Sequence, residues 1–307
     1  MPTNKPIIIV DGNNRAHAAY HAYKRLTYKG KSVSLMYGLP SMIKGLMREY
    51  DPQDLFVVWD GKRSKHRYKL CPEYKGERNK ARGLFDREDF EEQKATVMRM
   101  LKYLGIKQVL NPIAEADDVI ASLVFKLRKA DHDNIIIVSG DKDFHQLISR
   151  FVTVYSESRK KLIHHRNIKE EFGYYPPQTI DYLTLVGDDS DNIAGYPGIG
   201  EKRATDLLEK YGSLVNFIDS GDKHSIIDRK KLLELMKRNS VLMDLRLYHK
   251  MYKKETRVMY YKDISDPAID RIRFLKVSAK YGMNKFMSSG FLDQFKILKA
   301  YAKKNSN

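Results

Sequence analysis

One cysteine in the whole chain, Cys71, rules out an intrachain disulfide; it sits beside Pro72 with no His or Cys at metal-ligand spacing, so a zinc centre is not indicated either. Such cysteine usage suits a reducing compartment. Long apolar runs are missing as well. No stretch approaches the roughly 20 residues of a membrane span, and the N-terminus MPTNKPIIIVDG runs straight into an apolar strand, so the expected location is the cytoplasm. Negative charge is the scarcer sign: 39 Asp and Glu face 56 Lys and Arg, a formal charge of +17 with pI near 9.6. That imbalance points to a polyanionic partner. No basic amphipathic anchor or lipidation signal is present, and the basic residues interleave with many of the 20 Tyr, which favours nucleic acid over a membrane surface.

With 42% hydrophobic and 31% charged residues over 307 positions, the chain can bury one large core or two smaller ones. Short apolar runs, PIIIVD at 6–11, DLFVVWD at 54–60, NIIIVSGD at 134–141, VTVYS at 152–156 and KLIHH at 161–165, read as strands. They alternate with amphipathic helical patterns such as Leu35, Leu39, Met42, Ile43 and Leu46. This is the signature of an α/β fold with a mainly parallel sheet covered on both faces. From about residue 176 the strands stop and helices take over, giving an expected α/β core over 1–175 and a helical region over 176–307. Within the latter, about 177–212 reads as a helix, hairpin turn, helix unit. The segment 61 to about 90 fits neither pattern, and a connection that long is usually functional.

Three of the expected strands end in aspartate, at Asp11, Asp60 and Asp141, with Asp143 two residues on. In open α/β sheets ligands bind beyond the carboxyl ends of the strands, so these acids should converge. Glu115, Asp117 and Asp118 open a helix, and Asp188, Asp189 and Asp191 crowd GDDSDN. Acids in a first helical turn often only complement the macrodipole, and one Asp after a strand is commonly a cap. Many like charges brought together, however, cost free energy unless cations neutralise them. An all-oxygen donor set selects a hard cation, Mg²⁺ or Mn²⁺. Two such ions about 4 Å apart suit hydrolysis of a phosphodiester.

YPGIGEKRA at 196–204 places Gly198 and Gly200 before a helix that begins with Lys202 and Arg203, a turn where backbone N–H groups can meet a phosphate. From Lys62 to Arg82 the chain holds nine Lys or Arg against two Glu, among them Arg63, Arg67, Lys75 and Arg78, with Tyr68 and Tyr74 interspersed. Basic groups with aromatics suit single-stranded nucleic acid.

Taken together, IVDG at 9–12, CPEYKGER at 71–78, EADD at 115–118, VSGDKDF at 138–144, GDDSDN at 187–192 and PGIGEK at 197–202 resemble the 5′ nucleases. That family comprises flap endonucleases and the 5′ to 3′ exonuclease domain of bacterial DNA polymerase I. The resemblance implies a PIN-like core with a helical arch at 61 to about 90 and a helix-hairpin-helix. It implies that Asp11, Asp60, Glu115, Asp117 and Asp118 supply or support one ion and Asp141, Asp143, Asp188 and Asp191 a second, with Asp189 a bystander. It also implies Lys75 and Arg78 on the scissile phosphate, Tyr74 stacking on substrate, and K⁺ in the PGIGEK turn. Where the family usually has Arg, seven residues after the first Asp, this chain has Ala18, and Arg15 is the expected replacement.

The expected function is therefore metal-dependent cleavage of DNA flaps, nicks and 5′ ends, and of RNA paired with DNA, by a monomer acting in primer or flap removal. A single-strand-binding protein is an expected partner. The chain length resembles free-standing bacteriophage enzymes, which would act in the host cytoplasm. Two alternatives stand beside this reading: a PIN-like RNase, and a branched-DNA-binding protein without catalysis.

Overall fold

The computed structural model describes residues 4–76, 86–156, 159–258 and 268–296. Five apolar segments form a parallel array: β1 (Ile7–Asp11), β4 (Asp54–Trp59), β5 (Lys107–Leu110), β6 (Ile135–Val138) and β7 (Val152–Ser156). An antiparallel β8 (Lys161–Ile163) closes the sheet, whose order is β5-β4-β1-β6-β7-β8. A small hairpin, β2 (Thr27–Tyr28) with β3 (Lys31–Ser32), stands apart.

The strands are apolar throughout because both faces are covered. On β1, Ile7 and Ile9 enter one buried cluster and Ile8 and Val10 the other. The second cluster takes α1 (Gly12–Ala22), α2 (Ser34–Tyr50), α4 (Arg87–Tyr103), α12 (Arg271–Lys280) and α13 (Ser289–Leu292). The first takes α5 (Ala116–Lys129) and the helices after the sheet: α6 (Ile168–Phe172), α7 (Thr179–Val186), α8 (Glu201–Tyr211), α9 (Leu214–Asp219), α10 (Arg229–Met243) and α11 (Leu245–Met251).

β1 pairs with β4 on one side and β6 on the other, so the direction of chain progress across the sheet reverses there. Such a switch point opens a crevice at the carboxyl ends of the strands. Asp11, Asp60 and Asp141 all lie at those ends.

Several expectations need correction. β5 was not anticipated, because Lys107 and Gln108 interrupt its apolar character; Gln108 is buried and satisfied by Trp59 Nε1 (2.9 Å) and Met98 O (2.8 Å). KLIHH forms only three strand residues, since the His164 N–H turns away to Asn167 Oδ1. Strands do not cease at 176: β9 (Gly187–Asp188) and β10 (Ile193–Ala194) form a two-residue ladder. The 61–90 segment is not wholly irregular, for it contains α3 (Lys65–Leu70), capped by the Ser64 hydroxyl, and α4 begins at Arg87. Residues 77–85, with Arg78 and Arg82, lie outside the described residues. Among the described residues no helix is long and apolar enough to cross a membrane.

Candidate metal and phosphate site

Each acid is aimed by a local backbone device. Asp11 ends β1 and caps α1, accepting from Asn14 N (3.1 Å) and from Ser139 Oγ (2.8 Å). Asp60 follows β4 and accepts from Asn13 Nδ2 (2.7 Å) and from Ala116 N (2.8 Å), the first amide of α5. Asp141 caps a 3₁₀ turn through Asp143 N (2.8 Å). Asp188 accepts from Ser190 N (2.8 Å) in the turn between β9 and β10.

These four acids, with Glu115, Asp117, Asp189 and Lys75, line one cavity of about 1000 Å³. Burial, and after it the neighbouring carboxylates, raise the proton affinities of Asp11, Asp117, Asp141 and Asp143. Burial, and then Asp60, push Asp11 up to about 6. Burial, then Asp191, with Asp188 and Asp11 behind it, push Asp141 up to about 7. Asp117 and Asp143 are raised well above the ordinary carboxylate range, first by burial; Asp141, Asp11 and Asp60 then act on Asp117, and Asp141, Asp188 and Asp191 on Asp143.

Glu115 is the exception. Burial would raise it, but Lys75 and then Arg67 hold it down to about 2. Its oxygens take Lys75 Nζ (2.8 Å), Tyr74 OH (2.7 Å), Arg67 Nη1 (3.3 Å) and Ser64 N (3.0 Å). Lys75 Nζ also lies 3.8 Å from Asp117 and 3.5 Å from Asp191. Burial works against its charge, and the oxygens of Tyr74, Glu115, Asp117 and Asp191 overcome it.

A hard cation fits this donor set. The Oδ1 of Asp143 is buried without a hydrogen-bond partner among the described residues, beside a cavity whose lining acids outnumber its cations Lys75, Lys142, Arg63 and Arg87. As the side chains stand, no group of three described acids closes around a single point. Lys75 Nζ is the cation that lies among Glu115, Asp117 and Asp191 as the side chains stand.

Other sequence expectations fare differently. Asp118 is not with the cavity acids: it is 1% exposed and accepts both guanidinium branches of Arg67, each at 2.7 Å. Arg67 is equally buried; its Nε reaches Leu242 O (2.8 Å) and its plane lies over Tyr248 at 3.9 Å. The two satisfy each other's charge away from solvent, and Asp118 connects to the cavity acids through Arg67, which also bonds Glu115. Tyr74, 2% exposed, orients Glu115 rather than offering a stacking face. Arg15, 6% exposed and donating to Asn14 Oδ1 (3.1 Å), is packed beneath the site and does not present itself to solvent as a replacement Arg. Asp143 and Asp191 are buried outside the lining, electrostatically coupled to Asp141.

Lys62 and Arg63 are exposed, and Arg63 lines the cavity. The glycine turn is present as expected: Gly198 adopts φ +80° and Ile199 is buried beneath it. Gly200 then precedes α8 with no side-chain cap, leaving the first amides of that helix to an outside acceptor. Lys202 and Arg203 are exposed there, and Arg203 donates to Gly198 O (2.6 Å). Sequence reasoning missed His17, stacked on Phe90 with centroids 4.3 Å apart, and Arg87, all lining the cavity. His17 lies four and three residues after Asn13 and Asn14, which also line the cavity, so it shares their face of α1.

Comparison with known proteins gives a consistent picture. Residues 6–173 match the N-terminal resolvase-like domain of 5′-3′ exonucleases, and residues 174–270 their C-terminal SAM fold. A 5′-3′ exonuclease of Buchnera aphidicola (subsp. Acyrthosiphon pisum) is 34% identical over 222 residues, covering 72% of this chain and 76% of that protein. The thermostable DNA polymerase I of Thermus aquaticus is 36% identical over 233 residues, 75% of this chain but only 27% of the polymerase. In structure, a bacteriophage T5 flap endonuclease variant in a pseudo-enzyme-product complex with DNA and metal ions superposes with TM-score 0.66 at 23% identity, covering 97% of this chain and 99% of that one.

Proposed function

Because the chain belongs to the 5′-3′ exonuclease family, we propose that it is a divalent-metal-dependent 5′ nuclease that hydrolyses phosphodiesters at DNA flaps, nicks and free 5′ ends. The observation that carries this reading is the convergence of Asp11, Asp60, Asp117, Asp141 and Asp188 on one cavity beside a buried lysine. Asp11, Asp60, Glu115 and Asp117 would hold one Mg²⁺, and Asp141, Asp143, Asp188 and Asp191 a second. When bound, such ions supply an activated water and stabilise the leaving oxygen of an in-line displacement.

The chain's own residues do the rest. Lys75, kept charged by the acids around it, brings positive charge to the scissile phosphate. Tyr74 and Ser64 hold Glu115 in place, and Asn13 with the Ala116 amide holds Asp60. Gly198, Gly200 and the open N-terminus of α8 grip the duplex backbone without reading bases. K⁺ in that turn would require Arg203 to release the Gly198 carbonyl. Arg63, with Arg78 and Arg82 further along, would guide the single strand, whether DNA or the RNA of a hybrid.

The test follows a labelled 5′ flap on duplex DNA with Mg²⁺ or EDTA, for wild type and Asp141→Asn. Metal-dependent cuts near the junction, lost in the variant while binding persists, are the expected result. Tight binding without any cleavage would place the chain among binding proteins instead.

A further inference from the structure

We propose that a second, basic hollow on the opposite face of α5 receives the backbone of the single strand after it has passed the active site; this rests on the 5′ nuclease reading above. The hollow, about 600 Å³, is lined by Ser122, Lys126, His249, Lys253, Lys254, Arg257 and Val258. No acidic side chain lines it among the described residues, and Lys253, Lys254 and Arg257 are exposed. The nearby Glu255 is turned away, to His66 Nε2 at 3.1 Å.

The hollow is a built feature rather than a loose tail. Asn111 Nδ2 holds the carbonyls of Glu255 and Arg257. His249 Nδ1 meets Thr256 Oγ1 at 2.9 Å, the His66 ring stacks on Tyr252 at 4.0 Å, and Tyr248 OH bonds to Ser64 Oγ. Two of these contacts, Tyr252 with His66 and Tyr248 with Ser64, join the Glu255–His66 bond in fixing the 248–257 segment against the base of α3, the element that leads from Asp60 into the basic segment.

Position argues for nucleic acid rather than an acidic peptide. Along α5, Lys126 is nine residues beyond Asp117, which places it about 13 Å down the axis and about half a turn around it. Asp117 faces the cavity, whereas Asp118 faces Arg67 and Tyr248, so the buried Arg67–Asp118 pair lies between the acids and the hollow. A strand that leaves the acids across α3, to which the 248–257 segment is tied through Ser64 and His66, would meet Lys253, Lys254 and Arg257. There its charge is met by cations.

The experiment compares wild type with the triple variant Lys253→Ala, Lys254→Ala, Arg257→Ala on one duplex carrying either a long single-stranded 5′ flap or a single-nucleotide flap. The expected result is about tenfold weaker binding of the long flap, with the slope of log K against log salt reduced by about 2, following the roughly 0.7 per phosphate contact of single strands. Cleavage of the single-nucleotide flap should be unchanged, which also certifies the fold. Lys253→Arg, Lys254→Arg, Arg257→Lys should restore the long-flap affinity. Equal affinity of wild type and triple variant for the long flap would overturn the proposal, as would an equal loss on both substrates. So would loss of binding to a poly-glutamate peptide with the long flap unaffected, which would assign the hollow to an acidic protein. Failure of wild type to cut either flap in Mg²⁺ would instead fault the nuclease reading.

Discussion

At the scale of single residues, the pair Arg67–Asp118 and the lysine Lys75 divide the buried charge into a structural and a chemical part. Arg67 and Asp118 are both buried and joined by two bonds of 2.7 Å. Removing one partner strands the other in a low-dielectric interior, so Arg67→Ala should lower unfolding free energy by about 3–5 kcal/mol. The double variant Arg67→Met, Asp118→Leu should be less destabilised than either single change, as urea titrations would show; additive losses would refute the coupling. Lys75 behaves differently, because it sits 2.8 Å from Glu115 and within reach of Asp117 and Asp191, where a cation would otherwise lie. Lys75→Met is expected to slow single-turnover cleavage about 10²–10³-fold while tightening Mg²⁺ binding measured by calorimetry. Weaker Mg²⁺ binding would mean that Lys75 supports the ions rather than competing with them. The strand-end acids were legible in the sequence because a strand followed by Asp is a local pattern. The burial of Arg67, Asp118 and Tyr74 was not, since it depends on Leu242, Tyr248 and Glu115, partners distant along the chain.

At the scale of elements, two glycine turns carry geometry that side chains cannot. Gly187 adopts φ +85°, and an added Cβ would meet Gly195 N and Ile193 O at 2.6 Å. Gly187→Ala should therefore force apart the β9–β10 ladder that carries Asp188 and leads to Asp191, beyond the roughly 1–2 kcal/mol of left-handed strain. A displacement near 1 Å at those acids is expected to reduce cleavage about 10²-fold with DNA affinity retained; unimpaired cleavage would show that the ladder does not position them. Gly200 provides the contrast, with an extended backbone and no atom within 4 Å of an added Cβ. Gly200→Ala should leave thermal stability within about 0.5 kcal/mol yet weaken duplex binding, because the new methyl stands where a phosphate would approach the α8 amides. The glycine turn was readable from its spacing. The β9–β10 ladder was not, because two residues per strand leave no periodicity, and β5 was hidden because its buried Gln108 looks like a loop residue until Trp59 is placed beside it.

At the scale of the whole molecule, the crowded acids make stability depend on cations. Asp141, raised to about 7, and Asp11, raised to about 6, bind protons more tightly folded than unfolded. Their contribution is fully present below the ordinary carboxylate range and is lost as pH rises through those values, so these groups weaken the ion-free protein as it is taken from pH 5 to pH 8. An ion that binds only the folded state opposes this loss, by about 2.7 kcal/mol when its concentration is 100 times its Kd. Thermal melts in EDTA should therefore show a lower Tm at pH 8 than at pH 5, and added Mg²⁺ should raise Tm more at the higher pH, where protons no longer compete for the carboxylates. Asp141→Asn removes one of the repelling charges, so it should raise the Tm of the ion-free protein at pH 8 while shrinking the gain from Mg²⁺. The net charge of +17 does not reproduce this pattern, because its screening by salt responds to ionic strength and not to the identity of the cation. A Tm at pH 8 that moved equally with Mg²⁺ and with NaCl of the same ionic strength would show that the acids hold no ion.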